Sequence, residues 1–226
     1  MFVLKIIWGV ALQAALFGLL LFVPARTLVW PRAWILVEGI AAATVATMFY
    51  LRNQQDLVKE RLKGPFQKGQ PVADKIVLNL LVLMLCCMIA FIPLVVFRLH
   101  LIGAPGMFVS LVGLGLIVAG WSLAAVAMHE NAFAAGVVRY QQERHHRVVD
   151  RGVYYKLRHP MYAGGVAFIV GIPLWLGSYA AALLAVLPIS LLAVRIHIEE
   201  SFLRQTLEGY QAYVERTRYR LIPYVW

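Results

Sequence analysis

Residues 76–97 read IVLNLLVLMLCCMIAFIPLVVF, a run in which Asn79 is the lone strongly polar side chain. A helix needs about 20 consecutive, mostly apolar residues to cross the hydrocarbon core of a bilayer, and this run is long enough. Comparable runs lie at 3–23, 32–50 and 106–128, so these alone predict four crossings. A further apolar region, 162–194, is too long for one ordinary span and contains Pro173, Gly177, Ser178 and Pro188. It predicts a helical hairpin turning near 177–179, with a short first arm that sits tilted or incompletely across.

Composition agrees with a membrane as the solvent. Of the 226 residues 62% are hydrophobic and 14% charged, far from the soluble balance. The start of the chain, 1–23, has the outline of a signal peptide. No small-x-small cleavage site followed by a polar mature domain appears, so an uncleaved membrane helix is expected. Cys86 and Cys87 are neighbours in an apolar run, where side chains on a helix diverge; they read as buried packing thiols, not a disulfide.

The net charge of +10 could point to nucleic acid, but the basic residues are confined to particular loops. Arg52, Lys59, Arg61, Lys63, Lys68 and Lys75 follow the second run, and Arg139, Arg144, Arg147, Arg151, Lys156 and Arg158 follow the fourth. The positive-inside rule places both loops in the cytoplasm, and an even number of crossings puts both termini there too. Within the first loop, 54–63 mixes Leu57, Val58 and Leu62 with charges, as either an interfacial amphipathic helix or a solvated connecting helix would. Glu38, inside the second run and near Arg32, suits snorkelling or a local ion pair. Gly113, Gly115 and Gly120 lie in a spanning run with no strand before them, which favours helix packing over a dinucleotide loop. The six histidines show no HExxH or Cys/His ligand spacing, so no metal is expected.

Titratable residues gather in two places. One is HHRVVDRGVYYKLRHPMY at 145–162, leading into the hairpin; the other is RIHIEE at 195–200, where the returning arm comes back to the same face. Antiparallel arms bring the two together, so both can face one pocket. Pro160 suits the first turn of a helix, which sets His159 and Tyr162 on one side. Arg195 and Glu199 also share a face, as a plain structural salt bridge would.

The ordered set HRVVDRGVY, RHPMYAG, R-x-x-x-E-E-x-x-L and a closing Y-x-x-Y…R…P resembles the isoprenylcysteine carboxyl methyltransferase family and its bacterial relatives, over about the last eighty residues. The resemblance implies an all-α polytopic transmembrane bundle with a C-terminal helical hairpin and a cytoplasm-facing pocket for S-adenosyl-L-methionine. By position, His146, Arg147, Val148 and Val149 would line the cofactor, and Tyr154, His159, Pro160, Met161 and Tyr162 would complete that wall. Glu199 would hold a polar cofactor group and Arg195 would face the substrate, a lipophilic carboxylate, thiol, amine or lipid, free or lipid-anchored. Gln141, Gln142 or Arg139 stands where the family offers a further polar residue.

The chain then divides into 1–130, four spans with a cytoplasmic interfacial loop near 51–75, and 131–226, the connector, hairpin and basic tail. Two other readings compete. Certain steroid and sterol reductases pair R-H-P-x-Y with a similar tail and bind NADPH, but continue with Phe-Gly-Glu where Ala163, Gly164 and Gly165 stand. A transporter or scaffold would have no tight cofactor, and its basic loops would be topology signals only.

Overall fold

A computed structural model describes residues 2–226, with side-chain surroundings from residue 4 onward. Met1, which opens the signal-like start, lies outside the described residues. Among the described residues five helices are long and apolar enough to cross a membrane: α1 (Phe2–Ala25), α2 (Pro31–Tyr50), α4 (Val72–Leu94, prolonged by a π turn to Leu99), α5 (Met107–Glu130) and the pair α8 (Tyr179–Leu184) and α9 (Val186–Thr206). A shorter apolar helix, α7 (Pro160–Leu176), is the first arm of the hairpin, and three brief helices, α3 (Gln55–Arg61), α6 (Val153–Lys156) and α10 (Tyr210–Arg216), lie between and after the long ones. The chain is thus a polytopic helix bundle.

The hairpin turns where the sequence places it. Gly177 takes φ +95, which closes α7 by donating its N–H to the Pro173 carbonyl. Ser178 then caps α8, its Oγ accepting from the Ala181 N–H at 3.1 Å. Pro188 has no N–H to give the Leu184 carbonyl, and the helix breaks at Ala185 into α8 and α9.

The most extensive helix pair is α5 with α7, and glycines permit it. A Cβ at Gly164 would lie 2.4 Å from the Gly120 carbonyl, and one at Gly171 would lie 2.6 Å from that of Gly113. Gly113 and Gly120 therefore serve packing, while Gly115 meets nothing within 4 Å.

One expectation needs correction, and one of two alternatives falls away. The cysteines are unpaired but not core thiols: Cys87 is exposed and Cys86 half-buried, on an outer helix face. Large apolar side chains such as Trp8, Val82 and Phe108 also face outward, where lipid is the natural contact. Arg32 makes no pair with Glu38. It donates to Ser110 Oγ at 3.0 Å and to the Trp175 carbonyl at 3.3 Å, while Glu38 stands exposed. The loop helix α3 uses its apolar face on protein, packing Leu57 and Val58 with Leu51, Met128 and Ala134.

Candidate active site

The connector after α5 is fixed at a glycine. Glu130, the last residue of α5, turns its carboxylate onto the start of α6 and accepts the Val153 N–H at 2.7 Å. A Cβ on Gly152 would fall 2.1 Å from that carboxylate, and its φ of +58 is one that glycine adopts without strain. Tyr154 is thereby turned inward and buried, and Tyr213 on α10 donates its hydroxyl proton to the Tyr154 carbonyl at 2.8 Å.

Beyond α6 the chain runs beside the tail. Arg158 N–H donates to the Tyr219 carbonyl at 2.9 Å and His159 N–H to that of Arg220 at 3.0 Å. Pro160 then opens α7, its missing N–H costing nothing at that position. The His159 and Tyr162 rings stack with centroids 5.5 Å apart.

On the facing helix α9, the two glutamates divide their work. Glu199 Oε2 accepts the Tyr162 hydroxyl at 2.6 Å. Glu200 is buried and has several nitrogens around it: His159 Nε2 lies 3.1 Å from its Oε1, and Arg220 Nη2 donates to its Oε2 at 3.1 Å. Arg158 Nε is also 3.1 Å from Oε1 but lacks hydrogen-bond alignment and is left without a partner. Arg195 pairs with neither glutamate. Its Nε donates to Asp74 Oδ1 at 2.8 Å, its Nη2 to the Gly136 carbonyl at 2.7 Å, and its guanidinium sits 5.7 Å from the Tyr162 ring centroid.

These segments line one cavity that opens to solvent. From the connector, His146, Arg147, Val148, Val149 and Tyr154 line it; from the start of α7, His159, Met161 and Tyr162; from α9, Arg195 and Glu199. Pro160 is the exception, buried behind the wall as the residue that starts α7. Of the three polar candidates before the connector, Arg139 lines the cavity and is held by Glu60 at 3.0 Å. Gln141 is engaged by the Phe133 carbonyl and Arg144, and Gln142 is exposed.

The sequence reading missed Asp74, which is fully buried at the start of α4, and the wall formed by Leu203, Leu207, Tyr210 and Tyr213. A lone acid at the mouth of a long apolar run was the available signal for Asp74. The aromatic and leucine wall gave none, since such residues pack everywhere.

Electrostatics mark the connector. Burial, and then the positive charges of Arg144 and Arg139, lower His146 from its usual 6.5 to about 4, so its ring is neutral at pH 7. Its Nδ1 is buried with no partner among the described residues, and the ring lies against Phe133 and Tyr140. Burial raises the Tyr154, Tyr210 and Tyr213 phenols above their ordinary range, which keeps them protonated.

Fold and site together define a polytopic helix bundle with a pocket at one end lined by several arginines, two histidines and one carboxylate. Residues 108–209 match the model of the phospholipid methyltransferase family, in keeping with the resemblance read from the motifs. The chain is 32% identical over 116 residues to protein-S-isoprenylcysteine O-methyltransferase B of Arabidopsis thaliana, covering 48% of this chain and 57% of that protein. It is also 32% identical over 113 residues to probable protein-S-isoprenylcysteine O-methyltransferases of Oryza sativa subspecies indica and japonica, covering 48% of this chain and 59% of theirs. The chain thus spans less than two thirds of the length of these relatives.

Proposed function

We propose that this chain is an integral membrane methyltransferase that transfers a methyl group from S-adenosyl-L-methionine to a lipophilic acceptor. The observation that carries the proposal is the convergence of the connector, the start of α7 and α9 on one cavity that holds an unpartnered neutral imidazole beside Glu199 and Arg195. Those walls fit the donor. His146 Nδ1 offers one polar contact whose direction follows its tautomer, the free Oε1 of Glu199 is an acceptor suited to hydroxyls and an ammonium, and the rings of Tyr154 and Tyr162 suit a neighbouring cation.

When bound, S-adenosyl-L-methionine supplies an electrophilic methyl on a sulfonium sulfur. The chain's residues have to align and exclude water, since in-line displacement depends on placement. Val148, Val149 and Met161 provide dry surface, and Arg147 borders the cavity mouth. Tyr162, tied to Glu199, fixes that carboxylate for the donor. Arg195 offers the acceptor the free part of its fork, a contact suited to an anionic oxygen or sulfur. The names of the relatives favour an isoprenylcysteine-like acceptor, whose carboxylate and lipid tail match a cationic group beside an apolar bundle. In functional terms 131–226 carries the donor, and 1–130 frames it through α5 and the loop near 51–75. The lysine and arginine bias of the two polar loops supports a cytoplasmic pocket and cytoplasmic termini.

Calorimetry of the purified protein against S-adenosylhomocysteine and NADPH tests the reading. Binding of the former alone is expected. Binding of NADPH instead would make the chain a reductase, and binding of neither would leave a transporter or scaffold. A cysteine placed at Lys63 should be labelled from the cytoplasmic side; labelling from outside would reverse the topology.

A further inference from the structure

Arg195 is assigned to the acceptor, but an arginine on a helix has a long, rotatable stem, and nothing in α9 itself fixes its fork. The fixing group comes from the other half of the chain. Asp74, in the first turn of α4, is 0% exposed. Its Oδ1 accepts Arg195 Nε at 2.8 Å, while its Oδ2 accepts Gln70 Nε2 at 2.7 Å and the Val138 N–H at 3.1 Å. The carboxylate is therefore held by two donors besides Arg195. The Gly136 carbonyl takes an Nη2 proton at 2.7 Å. Among the described residues Nη1 takes no partner, and Arg195 borders the cavity whereas Asp74 does not.

We infer that Asp74 is a positioning residue for an anionic acceptor: it locks the Nε edge of Arg195, so that the remaining edge is presented to the acceptor in one orientation. Asp74 touches neither donor nor acceptor and acts through Arg195. A buried carboxylate suits this task better than a neutral acceptor, because it offsets the cost of burying the guanidinium while fixing its plane. The same carboxylate holds Val138, which lines the cavity, so the acceptor arginine and the connector share one reference point. This inference rests on the methyltransferase reading.

The test uses the full chain and the variants Asp74→Asn, Asp74→Glu, Arg195→Lys and the double variant Asp74→Asn with Arg195→Lys. Three quantities are measured: S-adenosylhomocysteine affinity, melting temperature, and methyl transfer to N-acetyl-S-farnesylcysteine, a lipophilic carboxylate probe. Asp74→Asn and Arg195→Lys should each lower kcat/KM for the probe by about 10- to 100-fold, the scale of a misplaced orienting group. Affinity for S-adenosylhomocysteine should stay within about threefold, and the double variant should be no worse than the poorer single, because both changes disable one device. Asp74→Glu, which keeps the charge, should recover part of the loss. The inference is overturned if Asp74→Asn lowers only the melting temperature, if it loses S-adenosylhomocysteine binding in step with turnover, or if the two losses multiply. A parent protein that binds S-adenosylhomocysteine but never methylates the carboxylate also overturns it. A parent that fails to bind S-adenosylhomocysteine sinks the methyltransferase reading itself, and this inference with it.

Discussion

Arg32 and Arg195 are both guanidiniums set among apolar helices, at opposite ends of the bundle, and their surroundings differ in kind. Around Arg32 the polar groups complete one another. Arg32 donates to Ser110 and to the Trp175 carbonyl, the Trp175 indole N–H returns a bond to the Arg32 carbonyl at 2.9 Å, and the guanidinium lies 5.6 Å from the Trp175 ring centroid. That end ties α2, α5 and α7 together. At the Arg195 end, bonding capacity is left over. Of the buried side-chain atoms without partners among the described residues, Arg139 Nε, His146 Nδ1 and Arg158 Nε belong to residues that line the cavity, and Gln54 Oε1 does not. Buried polar atoms are normally satisfied, so unmet ones around a cavity are what the proposed donor site requires. A closed set of polar contacts holds helices together; an open set binds.

The helix pair α5 and α7 joins the two ends, so enlarging its contact should break both. Gly164→Leu would drive a side chain into the Gly120 carbonyl, 2.4 Å from its Cβ. It should cost upwards of about 3 kcal/mol, read as a large fall in melting temperature with loss of S-adenosylhomocysteine binding. Next in size is Gly152→Ala, which meets both an unfavourable φ and the Glu130 carboxylate. About 1–3 kcal/mol of strain should displace the connector and weaken S-adenosylhomocysteine binding about tenfold or more, with the Arg32 end intact. Glu199→Gln removes charge and one acceptor, and should weaken the same binding about tenfold with little change in melting temperature.

Ser110→Ala should do the reverse, lowering stability by about 1 kcal/mol while S-adenosylhomocysteine affinity stays unchanged. If Ser110→Ala weakened binding and Glu199→Gln cost only stability, the contrast between the ends would collapse. The smallest effect is a pH slope. His146 titrates near 4 in the folded chain against 6.5 ordinarily, so between those values the unfolded chain binds a proton that the folded chain refuses. Stability should therefore fall as pH drops from 6.5 toward 4, and His146→Phe should flatten that part of the melting profile relative to the parent.

Much of this molecule is local in its causes, and local causes are written in the sequence. Lipid demands long apolar runs with internally satisfied backbones, so the spans were legible from run length alone. The turn at Gly177 was legible because it interrupts an apolar region with residues that stop or cap a helix. The convergence of 145–162 with 195–200 followed from an antiparallel hairpin, which returns to the face it left.

Partner choice across the bundle was not legible. Arg195 and Glu199 are one turn apart, and a salt bridge between them was one reading of that spacing, yet Arg195 reaches Asp74, 121 positions away, and Glu199 takes Tyr162. Helical spacing says which side chains share a face. It does not say which face of another helix stands opposite, and that depends on how closely helices approach, as at Gly120 and Gly164. The sequence by itself determined the membrane bundle, its hairpin and the residue types at the pocket. Only the tertiary structure decided which carboxylate neutralises which cation, because an ion pair is chosen by distances between helices and not by order along the chain.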